Sequence, residues 1–327
     1  MSKLFDKKEV LKLFKANSCL ETNISELFFT EKFAYKMKKS VNLGFVDFTK
    51  QNERNRINKA EYKINKIISP SIYLELIPIR ENDNGKLVIA KSKEKSVEYV
   101  LKMVRLPADG CLTILLSKKQ VDKKIVSKLA KTLSICHKKF RPNKSSLKYG
   151  KKEIVKKNFE NVFDLIKGDF NNDILSQKQF ENIKNKSWVI FNTNVPVFNK
   201  RVKEKRIQRI HGDLHSENVF VKNETPFITD AILPIPDWQY GDYAVDVGAL
   251  AMDFDAYKLN FLSSVLVDEY AKEKQDDSIK EIILFYKLYW ALIRFWVNLL
   301  AYKQGRKETK KKTKLYKDLI FRYLNIR

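Results

Sequence analysis

The stretch His211-Gly-Asp-Leu-His-Ser-Glu-Asn-Val219, followed by Phe227-Ile-Thr-Asp-Ala231, carries the most information in this chain. Asp213 and Asn218 stand five residues apart, and Asp230 follows twelve residues later. The short apolar runs at 219–221 and 226–228 flank Lys222-Asn-Glu-Thr225, a pattern that predicts a hairpin. Such a hairpin would fold Asp230 back beside Asn218. Phosphoryl transfer needs this set of groups: a carboxylate to orient and deprotonate an acceptor hydroxyl, and oxygen ligands for a magnesium ion on the nucleotide phosphates. Asp213 is the expected base, with Asn218 and Asp230 on the metal. A surface hairpin with capping Asp and Asn is the alternative reading. His211 and His215 have a metal-like spacing, but no third His or Cys lies near them in sequence.

Upstream, residues 3–16 place apolar groups at helical spacing. Ile24–Thr30 and Lys32–Met37 flank a short polar turn and read as a β-hairpin. Residues 50–68 read as a helix with Ile57, Ala60, Ile64, Ile67 and Ile68 on one face, ended by Pro70. Strands are expected at 72–79, 86–90 and 97–104. From about Pro107 the pattern becomes helical: 122–140 reads as a helix, 141–157 as an exposed basic loop, and Phe159, Val162, Phe163 and Ile166 as one helical face. The fold class expected is α+β: a small antiparallel-sheet lobe at 1–104 and a larger, mainly helical lobe at 105–327 that carries the Asp213 loop.

His-Gly-Asp-Leu-His-Ser-Glu-Asn followed by Ile-Thr-Asp-Ala resembles the catalytic and metal-binding loops of the aminoglycoside phosphotransferase/choline-kinase-like family. That family has the bilobal protein-kinase-like fold and uses ATP with Mg²⁺. The resemblance extends to Glu21-Thr-Asn-Ile-Ser25, Phe33-Ala-Tyr-Lys-Met-Lys-Lys39, Leu43-Gly-Phe-Val-Asp-Phe48 and Tyr73-Leu-Glu-Leu-Ile-Pro-Ile79. These segments are similar to a bacterial branch in which the kinase-like domain is often joined to a P-loop ATPase domain. No GxxxxGK[ST] occurs in this chain. The resemblance puts Lys36 on the strand lysine that contacts nucleotide phosphates and Glu61 on its helix partner, with Lys102 as the rival lysine. It puts Met103 and Val104 at the strand and hinge beside the nucleobase. His211 and Asp246 fall on residues that brace the catalytic loop, and Asp242 could exchange roles with Asp246. Two features depart from the pattern. The 24–37 hairpin contains no glycine, so Ser25 and neighbouring amides would have to substitute for a Gly-rich phosphate loop. Leu233 stands where the branch tends to carry Glu.

The 327 residues are 44% hydrophobic, with only 9 Gly and 8 Pro, which excludes collagen-like, low-complexity and wholly disordered classes. Sixty-four Lys+Arg oppose 39 Asp+Glu, a net charge of +25. The excess is mostly Lys, which genome-wide compositional drift produces; a polyanionic partner is the other reading, and a nucleic-acid-associated basic protein stays open as a function class. A strongly cationic protein repels polycations at long range, so an aminoglycoside is a poor expected substrate unless Asp253, Asp255, Asp268 and Glu269 form an acidic patch. A small-molecule substrate fits better, an anionic one included. Three scattered cysteines and an N-terminus without a continuous apolar stretch suggest a cytoplasmic protein. The apolar window Glu281–Leu300 carries Glu281, Lys287 and Arg294 and is expected as a buried helix, with no membrane partner. The sequence leaves three readings open: phosphotransfer to a small-molecule hydroxyl, a catalytically silent nucleotide-binding pseudokinase or scaffold module, and the nucleic-acid-associated basic protein.

Overall fold

The computed structural model describes residues 4–42, 47–91, 98–171, 173–231 and 235–326. Val97, Leu233 and most of the Leu43–Phe48 motif therefore lie outside the described residues. The chain divides into two compact units, one comprising residues 1–108 with 228–234, the other 109–227 with 235–327. The short segment holding Asp230 thus belongs to the sheet unit, although the sequence placed it with the helical remainder.

The first unit contains α1 (Lys7–Phe14), β1 (Ser18–Glu21), β2 (Ser25–Phe29), β3 (Phe33–Lys38), α2 (Gln51–Ile68), β4 (Tyr73–Glu81), β5 (Leu87–Ile89) and β6 (Glu98–Val104). Its antiparallel sheet has the order β1-β2-β3-β6-β4-β5. Helix α1 is capped by Asp6, whose carboxylate accepts the Lys8 N–H. It buries Val10 and Phe14 against Phe28, Tyr35, Met37 and Val100, and the Phe14 and Tyr35 rings stack at 4.2 Å.

Helix α2 departs from expectation. Its buried stripe is Arg54, Ile57, Asn58, Glu61, Asn65 and Ile68, whereas Ile67 is 40% exposed. Ile57 and Ile68 of the expected face are buried, but the rest of the stripe is polar, so apolar periodicity alone finds the helix and only part of its buried face. Each polar group has a partner: Arg54 pairs with Glu98 and donates to the carbonyls of Phe48 and Thr49, and Asn58 donates to Tyr99 O at 3.0 Å. Buried polar groups with partners of this kind avoid the desolvation cost of unpaired ones.

The second unit contains α3 (Leu112–Ser117), α4 (Lys123–Lys138), α5 (Lys144–Leu147), α6 (Lys152–Gly168), α7 (Gln177–Lys203), β7 (Ile207–Arg209), β8 (Val219–Lys222), β9 (Thr225–Ile228), α8 (Pro236–Gln239), β10 (Tyr240–Asp242), α9 (Ala244–Ala256), α10 (Asn260–Lys274), α11 (Ile279–Lys303) and α12 (Thr309–Tyr323). Strands β7 and β10 pair, as do β8 and β9. The β8–β9 turn places Asn223 and Glu224 at φ 50° and 57°, the backbone of a tight hairpin turn. The region 141–157 is not the loop the sequence suggested. Asn143 and Ser146 form a reciprocal capping box that starts α5, and Ser146 is buried, donating to Ile207 O at 3.2 Å.

Helix α9 is buried almost throughout and packs on α11. Gly248 permits this contact, since a Cβ there would lie 2.6 Å from Tyr286 Cβ. Helix α11 is long and apolar enough to cross a membrane by length and composition, with just over half of its apolar window buried in the fold. It packs against α7, α9 and α12, and Phe285 meets Phe159, Phe191 and Phe198 in one aromatic cluster. Arg201 of α7 is fully buried, bonded to Asp242, Asp276 and Ser278.

Candidate active site

In the sheet unit, strand period two puts Lys36 and Lys38 on the same face of β3. Both reach Glu61 of α2: Lys36 Nζ lies 2.9 Å from Oε1 and Lys38 Nζ 2.6 Å from Oε2. Lys36 Nζ also lies 2.5 Å from Asp230 Oδ1. Burial alone would lower the Lys36 ammonium, but Asp230 and Glu61 together hold it above the ordinary lysine range. Burial would raise Glu61, yet the two lysines hold its carboxyl below the ordinary range. Lys38, buried still more deeply, is pulled down by desolvation against the opposing pull of Glu61.

Asp230 is held from three sides. Tyr73 Oη accepts its N–H at 2.8 Å, Asn65 Oδ1 accepts the next N–H, of Ala231, at 3.0 Å, and Ser69 Oγ donates to Ile228 O at 2.6 Å. The backbone of Asp230 sits at φ 60°, a left-handed conformation that a non-glycine residue keeps only when its surroundings enforce it. Its side chain is 48% exposed, so a carboxylate anchored by α2 and β4 is presented outward.

The rival Lys102 lies over the Phe33 ring at 4.6 Å and opposite Tyr35, on the other face of the sheet from Lys36. Met103 and Val104 belong to β6, which has neighbours on both edges. The Val104 N–H is donated to Ile72 O and the Arg105 N–H to Lys32 O. Both amides are therefore satisfied within the first unit. In the β1–β2 turn, Ser25 N–H bonds Thr22 Oγ1 and Thr22 N–H bonds Ser25 O, and the turn has no glycine.

In the second unit the 211–218 loop is braced by α9. Asp246, fully buried, accepts the N–H groups of His211 at 2.7 Å and Gly212 at 3.0 Å and contacts His137 Nε2 at 2.8 Å. Burial would raise this carboxyl, but His137 and the loop keep it below its ordinary value. Asp242 does not exchange roles with it, being committed to Arg201 and the Ala244 N–H. Gly212 has φ 80°, which a side chain would disfavour, and this bend delivers Asp213 with 43% of its side chain exposed. His211 is 3% exposed, its Nδ1 3.4 Å from the Asp213 N–H. Asn218 Nδ2 donates to Asp213 O at 2.9 Å, which ties this side chain to the backbone of the loop.

Arg294 of α11 and Lys312 of α12 hold Glu217 at 3.3 and 2.9 Å. The lysine-rich C-terminal segment is therefore in part a structural brace. Burial opposes ionisation of Glu217, but Arg294, His215 and Lys312 lower its carboxyl to about 2. With 39% of the side chain exposed, solvent screening leaves about 1 kcal/mol from these pairs. A depressed carboxylate contributes stability above its unfolded value near 4.5 and loses it as pH falls toward 2. Glu217→Gln should thus be about 1 kcal/mol less stable than wild type at pH 7, with the gap closing below pH ~4.5. A denaturant series at several pH values checks this; a gap that stays constant would show that the ion pairs contribute nothing.

Asp253 and Asp255 do not form an acidic patch. Asp253 accepts from Ser216 N and Tyr316 Oη, and Asp255 binds Tyr323 Oη and Lys287 Nζ. Among the described residues no group of three or more His, Cys, Asp or Glu is placed to hold a metal ion.

Solved structures align over nearly the whole chain. The GDP and kanamycin complex of the aminoglycoside phosphotransferase APH(2") matches with a TM-score of 0.54 and 11% identity, over 95% of this chain and 97% of that one. A choline/ethanolamine kinase family protein from Mesorhizobium loti gives 0.53 and 12%, over 94% and 91%. The choline kinase from Cryptosporidium parvum gives 0.52 and 9%, over 94% and 88%. The fold is the protein-kinase-like fold of the aminoglycoside phosphotransferases and choline kinases. No family model matches the sequence. Uncharacterized proteins of Mycobacterium bovis and Mycobacterium tuberculosis are 22% identical over 293 residues, 88% of this chain but 56% of theirs, so the chain spans about half the length of those relatives.

Within this kinase-like fold, the structure gathers Lys36, Glu61 and Asp230 in the sheet unit and His211, Asp213, Asn218 and Asp246 in the helical unit. Lys38, Asn65, Ser69, Tyr73 and His137 escaped the sequence reading. Lys38 alone had a usable signal, the two-residue spacing from Lys36.

Proposed function

We propose that this chain transfers the γ-phosphoryl group of ATP to a hydroxyl of a small molecule. The observation that carries the reading is the buried Lys36 ammonium shared between Glu61 and Asp230, a fixed positive charge beside a half-exposed carboxylate. Lys36 is assigned to the nucleotide phosphates and Glu61 to holding it. Asp230 and Asn218 are the oxygen donors assigned to magnesium, which when bound neutralises charge on the phosphates. Asp213 orients the acceptor hydroxyl and takes its proton; Asp246 and His211 hold the loop that presents it. Binding of GDP and kanamycin by a structural neighbour makes GTP a donor to test beside ATP. The net charge of +25 and the committed Asp253 and Asp255 argue against a polycationic acceptor and for a neutral or anionic one.

The test is transfer of labelled γ-phosphate to a metabolite extract. A labelled small molecule is expected, formed only with Mg²⁺; no labelled product with either ATP or GTP would refute the reading. One observation favours the silent nucleotide-binding module instead: the closed, glycine-free β1–β2 turn spends two of its amides on itself. ADP release that depends on both Mg²⁺ and an acceptor would exclude that second reading.

A further inference from the structure

We propose that Lys38 is a second cation of the nucleotide site, a positioning residue that balances Glu61 so that Lys36 can serve the phosphates. The inference rests on the phosphotransferase reading and concerns a residue to which that reading gives no part.

The argument begins with charge. Lys36, Lys38, Glu61 and Asp230 form one connected cluster with two positive and two negative groups. Lys36 alone faces two carboxylates, at 2.9 and 2.5 Å. Without a second cation the cluster would carry a net negative charge, and a polyphosphate would have to approach against it. Lys38 removes that charge from the far side, through the other oxygen of Glu61, at 2.6 Å.

The surroundings make the charge count. Lys38 is 2% exposed. Across the sheet it pairs with Ser25, which is fully buried, and its ammonium lies 5.9 Å from the centroid of the buried Phe48 ring. Solvent screens little there, so adding or removing one charge is felt strongly by the neighbouring groups. A lysine placed there by chance would be expected to turn its ammonium to water, as long charged side chains do. Lys38 instead stays inside, with Glu61 as its ionic partner. Its position also keeps it out of the chemistry: the group with a half-exposed neighbour is Lys36, beside Asp230.

The test is equilibrium binding of ATP with Mg²⁺, measured by calorimetry without turnover, on four proteins. Lys38→Met should weaken ATP binding about tenfold, because the cluster becomes negative. Lys38→Met combined with Glu61→Gln restores neutrality with side chains of similar size; it also loses the carboxylate that holds Lys36, so binding should recover only in part, to at least about threefold tighter than Lys38→Met alone. A packing role for Lys38 would not be rescued in this way. If Lys38→Met fails to fold while the double variant folds and binds, the charge balance is equally supported. Wild-type affinity in folded Lys38→Met overturns the proposal, as does a double variant that binds no better than the single one or does not fold. Lys36→Met separates this result from the underlying reading. If it binds ATP as tightly as wild type, Lys36 is not the phosphate cation and the proposed function itself falls.

Discussion

Asp213→Asn should lower turnover by about 10²–10⁴-fold, the usual contribution of a positioned general base. The KM for ATP should move by less than about threefold, because the lost interaction is made in the transition state and not on the nucleotide. The basis is local geometry. Gly212 turns the chain, Asn218 holds the Asp213 carbonyl, and the Asp213 carboxylate is left 43% exposed at the end of a buried loop. Asparagine keeps the shape and removes the base. Steady-state kinetics on the substrate recovered from the extract screen provides the measurement. Full activity in the variant would show that another group takes the proton and would remove Asp213 from the mechanism.

Asp246→Ala should cost about 3–5 kcal/mol of stability, the range for removing one partner of a buried charged network. Three donors or partners lose their acceptor at once: His211 N–H, Gly212 N–H and His137 Nε2. His137 is held on its other side by Tyr270 Oη at 2.6 Å, so it has little freedom to find a replacement. Turnover in the surviving folded fraction should fall by about 10²-fold, since displacement of a catalytic group by about 1 Å has that effect. Thermal melts with the variant kinetics at a temperature where it remains folded test both parts. A variant of wild-type stability would mean that the loop amides find other partners.

The loop was legible because its chemistry is compressed into eight residues, His211–Asn218, whose types and spacing are unusual together. Helix α2 was legible as a helix, but its buried face only in part. Apolar periodicity pointed to Ile57, Ala60, Ile64, Ile67 and Ile68; the fold buries Ile57 and Ile68 but fills the rest of the stripe with Arg54, Asn58, Glu61 and Asn65, because partners far along the chain satisfy them. Lys38 was hidden for a related reason. Among 64 Lys and Arg, a lysine drawn inward by Glu61 has the same letter as those in water. Ser69, Tyr73 and His137 act through hydrogen bonds to residues more than a hundred positions away, and no local pattern marks such pairs. In the 141–157 stretch the lysines are exposed as expected, but the stretch is not a loop: Asn143, Ser146 and Gly150 direct it into short turns that lead into α6.

The strand of chain at 228–234 has a consequence for how this architecture can be inherited or dissected. The sheet unit is not a contiguous gene segment: its last seven residues are encoded more than a hundred codons after the rest. A fragment ended at Ala108 would keep Lys36, Lys38 and Glu61 but leave behind the second carboxylate of their cluster. Recombination at that point would transplant Lys36, Lys38 and Glu61 without the carboxylate that completes their ion-pair cluster.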